Sequence, residues 1–495
     1  MRLTRIRARL GAALAVAALT AFAGLSAGGG AAAAGPAQPR NVVVVLTDDQ
    51  DLASLEVMTG VKRRLGRRGV SFRKSFAVYP LCCPSRATLL TGQYPHNPGV
   101  LDNGGPEGGV KVFDESVTLA TALRDEGYRT GYIGKYLNGY PELAREDPGA
   151  AIPPGWHRWF GMVDSGQYKW SLNANGLLRR YGRKTSDYQT DVLRRLGLGF
   201  IRNHAGKSMP PFFMLVSTNA PHGESGRKFA DRNPRPAKRH HGVFERRRLP
   251  DKPSFNEQDV SDKPEFLQVP RIKRKERLEI RDRYRGRLES LLSVDEMVSA
   301  FVKELRNRGE LSNTLFIFTS DNGFLLGEHR LQRKRLLYEE SAKVPLVMAG
   351  AGLPKGLRLQ ELVGNIDLAP TIYDVTGVDP PNSLEPDGIS LVDVADDPGD
   401  YVNRDLLLEN FHIGSADGVG AAVRTPNAIL IEQRVDGVWN RELYDLNPDS
   451  ALGGYDPYQL ENQIGNPLYA GLRSNLENRL DDLRGCEGTT GPNSC

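Results

Sequence analysis

Four apolar runs along the chain each end in polar or charged residues. They are NVVVVLTDDQ (41–50), RTGYIGKYLNG (129–139), PPFFMLVSTNAPHGE (210–224) and NTLFIFTSDNG (313–323). Runs rich in β-branched and aromatic residues, bounded by polar ones, are typical of strands buried on both faces of a parallel sheet. The amphipathic segments 114–128 and 291–309 lie between these runs and predict helices. The alternation predicts an α/β domain with a mostly parallel sheet.

The polar ends of these runs carry residues suited to a catalytic site. In chain order they are Asp48, Asp49, Lys135, Asn219, His222, Asp321 and Asn322. Ligands bind at the carboxyl ends of the strands in open α/β sheets, so these side chains are predicted to line one site. Because adjacent strand residues point to opposite faces, both aspartates of the first pair can face that site only if the chain turns at Asp48.

Asp48, Asp49, Asp321 and Asn322 are all oxygen donors. Three carboxylates and an amide suit a hard cation, and they suit Ca²⁺ better than Mg²⁺ where few waters are retained. The alternative is that each pair only caps the loop after its strand. The sequence contains no set of His and Cys residues with zinc-ligand spacing.

The composition predicts a globular protein with two structured parts. Of the 495 residues, 39% are hydrophobic and 25% are charged, which is ordinary for this class. We expect a catalytic domain over 40–380, interrupted by a polar, basic insertion over 223–290. The arginines of this insertion are either balanced by interleaved acids or attract an anionic substrate. Short strand-like pieces over 385–495 predict a smaller, partly antiparallel C-terminal subdomain.

Residues 1–34 differ from the rest of the chain. Four arginines precede an apolar run of small residues and the stretch GGGAAAAGPAQP. This order predicts a secretory signal peptide, cleaved near Ala27 or Ala34, and a secreted, extracellular protein without a stable membrane anchor. The alternative is an N-terminal anchor, which the weakly hydrophobic Gly/Ala core disfavours. Cleavage would leave 61 basic against 60 acidic residues, so the charge gives no support for nucleic-acid binding.

The four cysteines fall into two pairs with different predicted fates. Cys486 and Cys495 flank a short segment with Gly and Pro, so we expect a disulfide between them in an oxidising compartment. Cys82 and Cys83 are neighbours and could pair only in a strained ring. Of these two, Cys83 is expected to pack as an inert thiol.

The stretch CCPSRATLLTG (82–92) predicts a short helix that starts near Pro84 and stops at Gly92. Its positive end, together with Arg86 one turn along, is expected to lower the pKa of the Cys82 thiol. A plain thiolate nucleophile nevertheless fits badly here. A hard cation does not favour thiolate, and an oxidising compartment consumes free thiols.

The motif Cys82-x-Pro84-Ser85-Arg86, continued by ATLLTG, resembles the signature of the type I sulfatases, in which the first cysteine is oxidised to formylglycine. Further blocks resemble that family in the same order, namely TDDQ, GKYLN, APH, SDNG, GEH, KRLLYE, KVPLVMAG, NIDLAPTIYD and ELYDL. The resemblance covers roughly residues 40–450. It implies a sulfuric ester hydrolase with an alkaline-phosphatase-like, three-layer α/β fold and a smaller C-terminal subdomain with an antiparallel sheet. It also implies maturation by a formylglycine-generating enzyme.

The resemblance also implies roles by matching position. For a Ca²⁺ site the matching residues are Asp48, Asp49, Cys82, Asp321 and Asn322. For catalysis and substrate binding they are Cys82, Arg86, Lys135, His222 and Lys334. Arg86 would hold the hydrated aldehyde, and His222, or alternatively Lys334, would protonate the leaving oxygen. One hydroxyl of the hydrate would attack sulfur and the other would later expel sulfate, while Ca²⁺ and the lysines neutralise the developing charge.

One departure bears on the substrate. Many arylsulfatases have a histidine where this chain has Leu137, and GKYLN with CCPSR and GQYPHN looks most like the N-acetylglucosamine-6-sulfatase branch. We therefore expect a sulfated sugar such as glucosamine 6-sulfate. The alternatives are an arylsulfatase of small substrates, a phosphonate monoester or phosphodiester hydrolase on the same scaffold, and a non-catalytic glycan-binding protein. His329 and His96 are further candidates for substrate contact.

Overall fold

The first apolar run forms a strand near the centre of a ten-stranded sheet. The computed structural model describes residues 40–224, 233–415, 418–490 and 494–495. The signal peptide expected over 1–34 lies outside the described residues. Side chains of the central strand, Asn41–Thr47, alternate between apolar layers on the two faces of the sheet. All seven residues are buried, as predicted for a strand covered on both faces.

Eight strands of the large sheet run in one direction, and two run in the opposite direction. The strands are β1 (Asn41–Thr47), β2 (Gly69–Phe76), β3 (Arg129–Gly134), β4 (Arg158–Met162), β5 (Trp170–Ala174), β6 (Leu177–Tyr181), β7 (Phe212–Ser217), β8 (Thr314–Ser320), β9 (Leu346–Ala349) and β10 (Leu357–Gly364). Their spatial order is β10-β2-β9-β8-β1-β7-β3-β4-β5-β6. Only β5 and β9 are reversed within this sheet, so the predicted mostly parallel sheet is confirmed.

Helices cover both faces of the sheet. In the described residues they are α1 (Thr59–Val61), α2 (Cys82–Thr91), α3 (Leu119–Asp125), α4 (Tyr140–Glu146), α5 (Gln189–His204), α6 (Arg274–Asn307), α7 (Glu339–Ala342), α8 (Leu368–Thr376), α9 (Leu391–Asp396) and α10 (Ala470–Leu483). Helices α5 and α6 pack on one face, while α2, α3 and α8 pack on the other. The domain is therefore a three-layer α/β structure. None of the helices described is both long and apolar enough to cross a bilayer.

The long helix α6 begins inside the segment 223–290 that was predicted as an insertion. It runs for 34 residues, and its second half is the helix expected over 291–309. The arginine-rich stretch 274–290 is thus the first half of a structural helix. The other predicted helix, over 114–128, is shorter in the structure and starts after a capping box in which Thr118 and Thr121 hydrogen-bond reciprocally.

The C-terminal part carries a second sheet of four strands. They are β11 (Leu406–Phe411), β12 (Val419–Arg424), β13 (Ala428–Val435) and β14 (Val438–Asp445). This sheet is antiparallel throughout, as the resemblance implied. Helix α10 packs against it, and Cys486 and Cys495 form the predicted disulfide. The backbone N–H of Glu409 donates to the carbonyl of Val78, which joins this sheet to the larger domain.

Candidate active site

The four polar strand ends meet at one edge of the large sheet. Strands β8, β1, β7 and β3 are consecutive neighbours there, and all four run in parallel. The residues that follow them are therefore brought together although nearly 300 positions separate some of them in sequence. His222 follows a cis Ala220–Pro221 peptide, and Lys334 comes from the loop between β8 and α7. The structure thus gathers the predicted site residues in one place.

The chain turns at Asp49, one residue later than expected. Asp49 has a φ of 65°, in the left-handed region that non-glycine residues rarely adopt. Its backbone N–H donates to the Asp321 carboxylate over 3.0 Å, and the N–H of Gln50 donates to Ser320 Oγ over 2.9 Å. These bonds hold the turn so that Asp48 and Asp49 both face the site.

Cys82 lies in the middle of this charged cluster. Its Sγ is 2.8 Å from Lys334 Nζ, 3.4 Å from Lys135 Nζ and 3.6 Å from Asp48 Oδ1. Each lysine also contacts a carboxylate, Lys135 that of Asp48 and Lys334 that of Asp49. The position of residue 82 is therefore bracketed by two cations and an acidic group.

The pKa expected for the Cys82 thiol is wrong in direction. Helix α2 begins at Cys82 itself rather than near Pro84, and it ends as predicted before Gly92, whose φ is 78°. Burial raises the pKa of this thiol, and the charges of Lys135 and Lys334 offset that only in part. Cys83 is a buried free thiol whose pKa burial raises to about 12.

Arg86 binds the wall of the site rather than the sulfur. Its Nε and Nη2 donate to one oxygen of Asp321 over 3.0 and 2.8 Å. Its Nη1 donates to the Lys135 carbonyl over 2.7 Å and to Ser217 Oγ over 2.6 Å. None of these hydrogen bonds reaches Cys82, so the guanidinium is not turned back towards the sulfur.

The two acids that flank Arg86 are perturbed in opposite directions. Burial opposes ionisation of Asp48, but Lys135, His222, Lys334 and Arg86 together hold the pKa of its carboxyl far below its usual value. Burial and the nearby Asp48 charge raise the pKa of Asp321 instead. Of these two crowded carboxylates, Asp321 is thus pushed towards its neutral form. A cation bound between them would stabilise the charged form of both.

The residues present fit a hard divalent cation. Ligand atoms of Asp48, Cys82 and Asp321 lie within 4.8 Å of one another. The amide nitrogen of Asn322 donates to Asp49 Oδ1 over 2.7 Å. The side-chain oxygen of Asn322 is buried and has no hydrogen-bond partner among the described residues. A buried orphan amide oxygen beside crowded carboxylates is what an oxygen-coordinated ion would satisfy.

His222 is the most exposed of the clustered side chains, at 35%. Its Nδ1 lies 2.6 Å from the Gly223 carbonyl, so Nδ1 is the donor and Nε2 is the nitrogen that faces the site. Nε2 is 3.6 Å from Asp49 Oδ2. The ring is therefore oriented to exchange a proton at Nε2 with whatever enters from the open side.

Four polar residues support the site and were not singled out from the sequence. Ser217 accepts from Arg86, and Arg287 donates to the Asp49 carbonyl. Asn103 accepts from the Cys83 N–H, and the Asn365 amide donates to Ser85. Asn365 stands in the NIDLAP block, so that block could have pointed to it, whereas nothing local marks the other three.

The two further histidine candidates have other partners. His96 bonds Glu409 and the Cys486 carbonyl, both over 2.9 Å, and so ties the disulfide loop down. His329 is buried and bonds Glu257 over 2.7 Å. Leu137 is buried in the apolar core. The described contacts of both histidines are structural, and no substrate contact for either is supported.

Some arginines of the basic segment around α6 pair with acids. Arg239 pairs with Asp191 and Glu296, and Arg247 pairs with Glu56. These pairs favour the interpretation in which the arginines of 223–290 are neutralised, over that of a rim which attracts an anionic substrate.

Comparison with known protein families decides the class of enzyme. The Sulfatase family matches residues 40–378, about two thirds of the chain. The chain belongs to the sulfatase family. A second family, described as N-sulphoglucosamine sulphohydrolase, C-terminal, matches residues 327–485. The protein is thus a sulfuric ester hydrolase, as predicted, and its family uses a metal ion and formylglycine in general.

Individual sulfatases resemble the chain over most of its length. It is 35% identical to the N-acetylglucosamine-6-sulfatase of Homo sapiens, with 91% of this chain and 85% of the relative covered. It is also 35% identical to an extracellular sulfatase Sulf-1 homolog of Caenorhabditis elegans, with 72% of this chain covered. The chain spans only 49% of that second relative.

Solved sulfatase structures confirm the alkaline-phosphatase-like fold. A structure of BT4656 in complex with its substrate D-glucosamine-2-N,6-O-disulfate superposes with a TM-score of 0.73 at 23% identity, covering 90% of this chain and 97% of that one. The phosphonate monoester hydrolase of Silicibacter pomeroyi has a TM-score of 0.63 at 21% identity, with 89% and 94% covered. At these identities the likeness concerns the fold alone.

Proposed function

We propose that this sulfatase releases the 6-O-sulfate group of glucosamine-type sugars, using residue 82 as formylglycine and a bound Ca²⁺. The observation that carries the proposal is the position of Cys82 Sγ, which lies between Lys135 and Lys334 beside the acidic cluster. The choice of sugar is supported by the human relative, which is named for N-acetylglucosamine 6-sulfate. The buried Leu137, where many arylsulfatases have histidine, agrees with a sugar rather than an aryl substrate.

Two groups beyond the ordinary side chains complete this site. Oxidised to formylglycine, residue 82 would supply a hydrated aldehyde as the nucleophile. A Ca²⁺ would supply positive charge next to that residue. Its ligands would be Asp48, Asp49, residue 82, Asp321 and Asn322. The Arg86 guanidinium hydrogen-bonds both the Asp321 carboxylate and the Lys135 carbonyl. These bonds hold Asp321 in place within the ligand set.

Lys135 and Lys334 bind and neutralise the sulfate group. Burial opposes their charge, but the nearby carboxylates raise the pKa of both side chains above the usual value. Both therefore stay protonated at neutral pH. Two ammonium groups that converge on residue 82 would hold the sulfate oxygens there and stabilise the charge that builds up as the ester bond breaks.

His222 is the proposed proton donor to the leaving sugar oxygen. Its Nε2 faces the site, and its Nδ1 is fixed by the Gly223 carbonyl. Its partial exposure places it on the open side, where the sugar rather than the sulfate would lie. Lys334 is the alternative donor, although its contacts with Asp49 and Cys82 favour a role in binding sulfate.

The modification is tested by mass spectrometry of the peptide that spans residues 82 and 83, after expression with a formylglycine-generating enzyme. We expect the mass loss of thiol-to-aldehyde conversion at Cys82. Cys83→Ser is the matched control and should keep both the modification and the activity, whereas Cys82→Ala should abolish both. Full activity of enzyme that carries an unmodified Cys82 would refute the mechanism.

The metal is tested by dialysis against a chelator. Sulfate release should be lost and should return with Ca²⁺. Melting temperature gives a second readout, because a ligand that binds only the folded state stabilises it. The proposed ion is wrong if Ca²⁺ changes neither the melting temperature nor the activity of the chelated protein.

The substrate is tested with glucosamine 6-sulfate, N-acetylglucosamine 6-sulfate, a nitrophenyl sulfate and a phosphate diester. We expect the sugar sulfates to have the highest kcat/KM. A higher kcat/KM for the aryl ester would instead identify an arylsulfatase. Dominant hydrolysis of the phosphate diester would favour the phosphonate and phosphodiester alternative, whose fold this chain shares. Any sulfate release by the protein excludes the non-catalytic glycan-binding alternative.

We also propose that the protein is secreted after cleavage of residues 1–34. The Cys486–Cys495 disulfide supports this proposal, because such bonds persist in oxidising compartments. N-terminal sequencing of protein from culture medium should begin near residue 28 or 35. An N-terminus that starts at residue 1 on membrane-bound protein would support the anchor alternative.

A further inference from the structure

A second charged surface lies along β2 and the segments next to it in the large sheet. We call it the basic face, and its residues are Lys62, Arg63, Arg64, Arg67, Arg68, Arg73, Arg306, Lys355 and Arg358. Five of its residues lie between α1 and β2, and Lys355 lies in the loop between β9 and β10. Arg306 lies near the end of α6, and Arg73 and Arg358 lie on strands β2 and β10. The active site lies where β8 ends, whereas Arg67 and Arg68 lie where the parallel strand β2 begins. Arg73 lies further along β2, next to Phe72, which pairs with Leu346, and Leu346 in turn pairs with Thr319 of β8.

The cations of the basic face form no close ion pairs with described carboxylates, although the charge of Arg63 acts on Asp295, and Lys62 and Arg73 also line a cavity with Asp51 and Glu56. Eight of the nine side chains are exposed and the other is half-buried. Among the ion pairs of the described residues, none includes a member of the basic face. Neighbouring acids are engaged elsewhere. Glu304 pairs with Arg202 and Arg308, and Glu310 accepts a hydrogen bond from Asn41.

Two adjoining cavities give this face its shape. One has a volume of about 570 Å³ and the other about 990 Å³, and they share Arg63 and Arg67. No aspartate or glutamate lines either cavity. Phe72, Leu346 and Val347 form part of the apolar floor of the smaller one. The surface thus offers a continuous set of cations around an apolar strip.

This concentration of charge is not a by-product of a basic chain. Without its first 34 residues the chain carries 61 basic and 60 acidic residues. Some arginines of the α6 region are paired with acids, as Arg239 and Arg247 show, whereas Arg274 and Arg277 in the first turn of α6 form none of the described ion pairs. Unpaired like charges crowded on one surface repel each other and cost stability, so a bound polyanion would relieve that repulsion.

We propose that the basic face binds a sulfated polysaccharide chain. A guanidinium group can donate two parallel hydrogen bonds to two oxygens of one sulfate group, so a cluster of arginines suits a chain that carries many sulfates. The choice of a sulfated polymer, rather than another polyanion, rests on the proposed function. None of the described hydrogen bonds or ion pairs joins the basic face to Cys82, Lys135 or Lys334, so the basic face holds the enzyme on the polymer and leaves the chemistry at the active site unchanged.

The test compares the binding of full-length enzyme to immobilised heparin, a polymer of sulfated glucosamine. The variant is Arg63→Gln/Arg67→Gln/Arg68→Gln. The control, Arg145→Gln/Arg281→Gln/Arg441→Gln, removes the same charge from arginines that are ion-paired. At roughly two- to threefold per exposed charge contact, the variant should bind heparin about tenfold more weakly and elute at lower salt. The control should bind within about twofold of the wild type.

Activity separates this proposal from the proposed function. The variant should hydrolyse the monosaccharide glucosamine 6-sulfate with unchanged kcat/KM. Unchanged heparin binding by the variant would overturn the proposal while leaving the proposed function intact. Weaker binding by the variant, with no hydrolysis of sugar sulfates by the wild type, would refute the proposed function and support the basic face. The assignment to sulfated polysaccharide would be overturned if single-stranded DNA of equal charge bound the same residues as tightly as heparin.

Discussion

Arg86 is expected to be the cation that stabilises the negative charge of the buried Asp321 carboxylate. Its guanidinium makes four hydrogen bonds, two of them to Asp321 and the others to Lys135 and Ser217. Both side chains of the pair are almost completely buried. The change Arg86→Met keeps most of the apolar stem and removes the charge, so it leaves Asp321 beside the Asp48 charge without its closest cation.

Removing one partner of a buried ion pair costs about 3–5 kcal/mol. The unfolding entropy is about 2.1 cal/mol/K per residue, or roughly 1 kcal/mol/K for a folded unit of this size. Arg86→Met should therefore lower the melting temperature by about 3–5 °C. Adding Asp321→Asn removes the orphaned charge, and the double variant should recover about 1–3 kcal/mol of that loss.

The measurement is calorimetry of the single and double variants with a chelator present, so that no cation can replace the guanidinium. Arg404→Met is the matched control, because Arg404 makes a comparable buried pair with Asp367. It should also lower the melting temperature, but Asp321→Asn should not rescue it. The reasoning is refuted if the double variant Arg86→Met/Asp321→Asn melts no higher than Arg86→Met alone.

Three further changes probe the pH response, the backbone and the core. Burial opposes the charge of His96, but Glu409 raises the pKa of its ring to about 9 from 6.5. The charged His96 ring therefore stabilises the folded state fully below about pH 6.5, and this contribution is lost as pH rises through about 9. Over that range the free energy of unfolding of the wild type should fall by up to about 3 kcal/mol, a loss that His96→Gln should not show. At Gly134, whose φ is 120°, a Cβ would lie 1.8 Å from the Ser217 carbonyl oxygen, so Gly134→Ala should displace the next lysine and lower kcat/KM about 100-fold. Leu137→His should bury an unpaired imidazole, cost about 1–3 kcal/mol and give no gain in hydrolysis of a nitrophenyl sulfate.

Each of these changes has a control or a contrary outcome. The exposed His241→Gln should leave the dependence of melting temperature on pH unaltered, and an identical curve for His96→Gln would contradict the assigned stabilisation. Gly199→Ala, where a Cβ meets open space, should keep full activity. Normal kcat/KM in Gly134→Ala would contradict the close approach of β3 and β7. A gain of aryl sulfate hydrolysis in Leu137→His would contradict the structural role of that leucine.

Several features could be read from the sequence because they depend on neighbours along the chain. A strand buried on both faces needs an unbroken apolar run, so β1, β7 and β8 were visible directly. Parallel strands present their carboxyl ends on one edge, so the convergence of Asp48, Lys135 and Asp321 followed from order alone. Gly92 marked the end of α2 because only glycine readily adopts its left-handed conformation.

Other features depended on residues far apart in sequence, and only the tertiary structure decided them. The turn at Asp49 rests on hydrogen bonds to Ser320 and Asp321 at the end of β8, which are 270 and 272 positions away. Local helix electrostatics predicted a lowered pKa for the Cys82 thiol, but burial by distant elements raises it.

Charge pairing was decided in the same way. The sequence showed many arginines around α6 and fewer near β2, but it did not show that packing places acids beside Arg239 and none in the cavity lining around Arg67. The sequence by itself thus indicated the family, the four strands that lead to the site and the residues proposed to react there, since these depend on local pattern and composition. The fold alone decided which charges neutralise one another and which remain free to bind a ligand, because Coulomb interactions depend on distance in space.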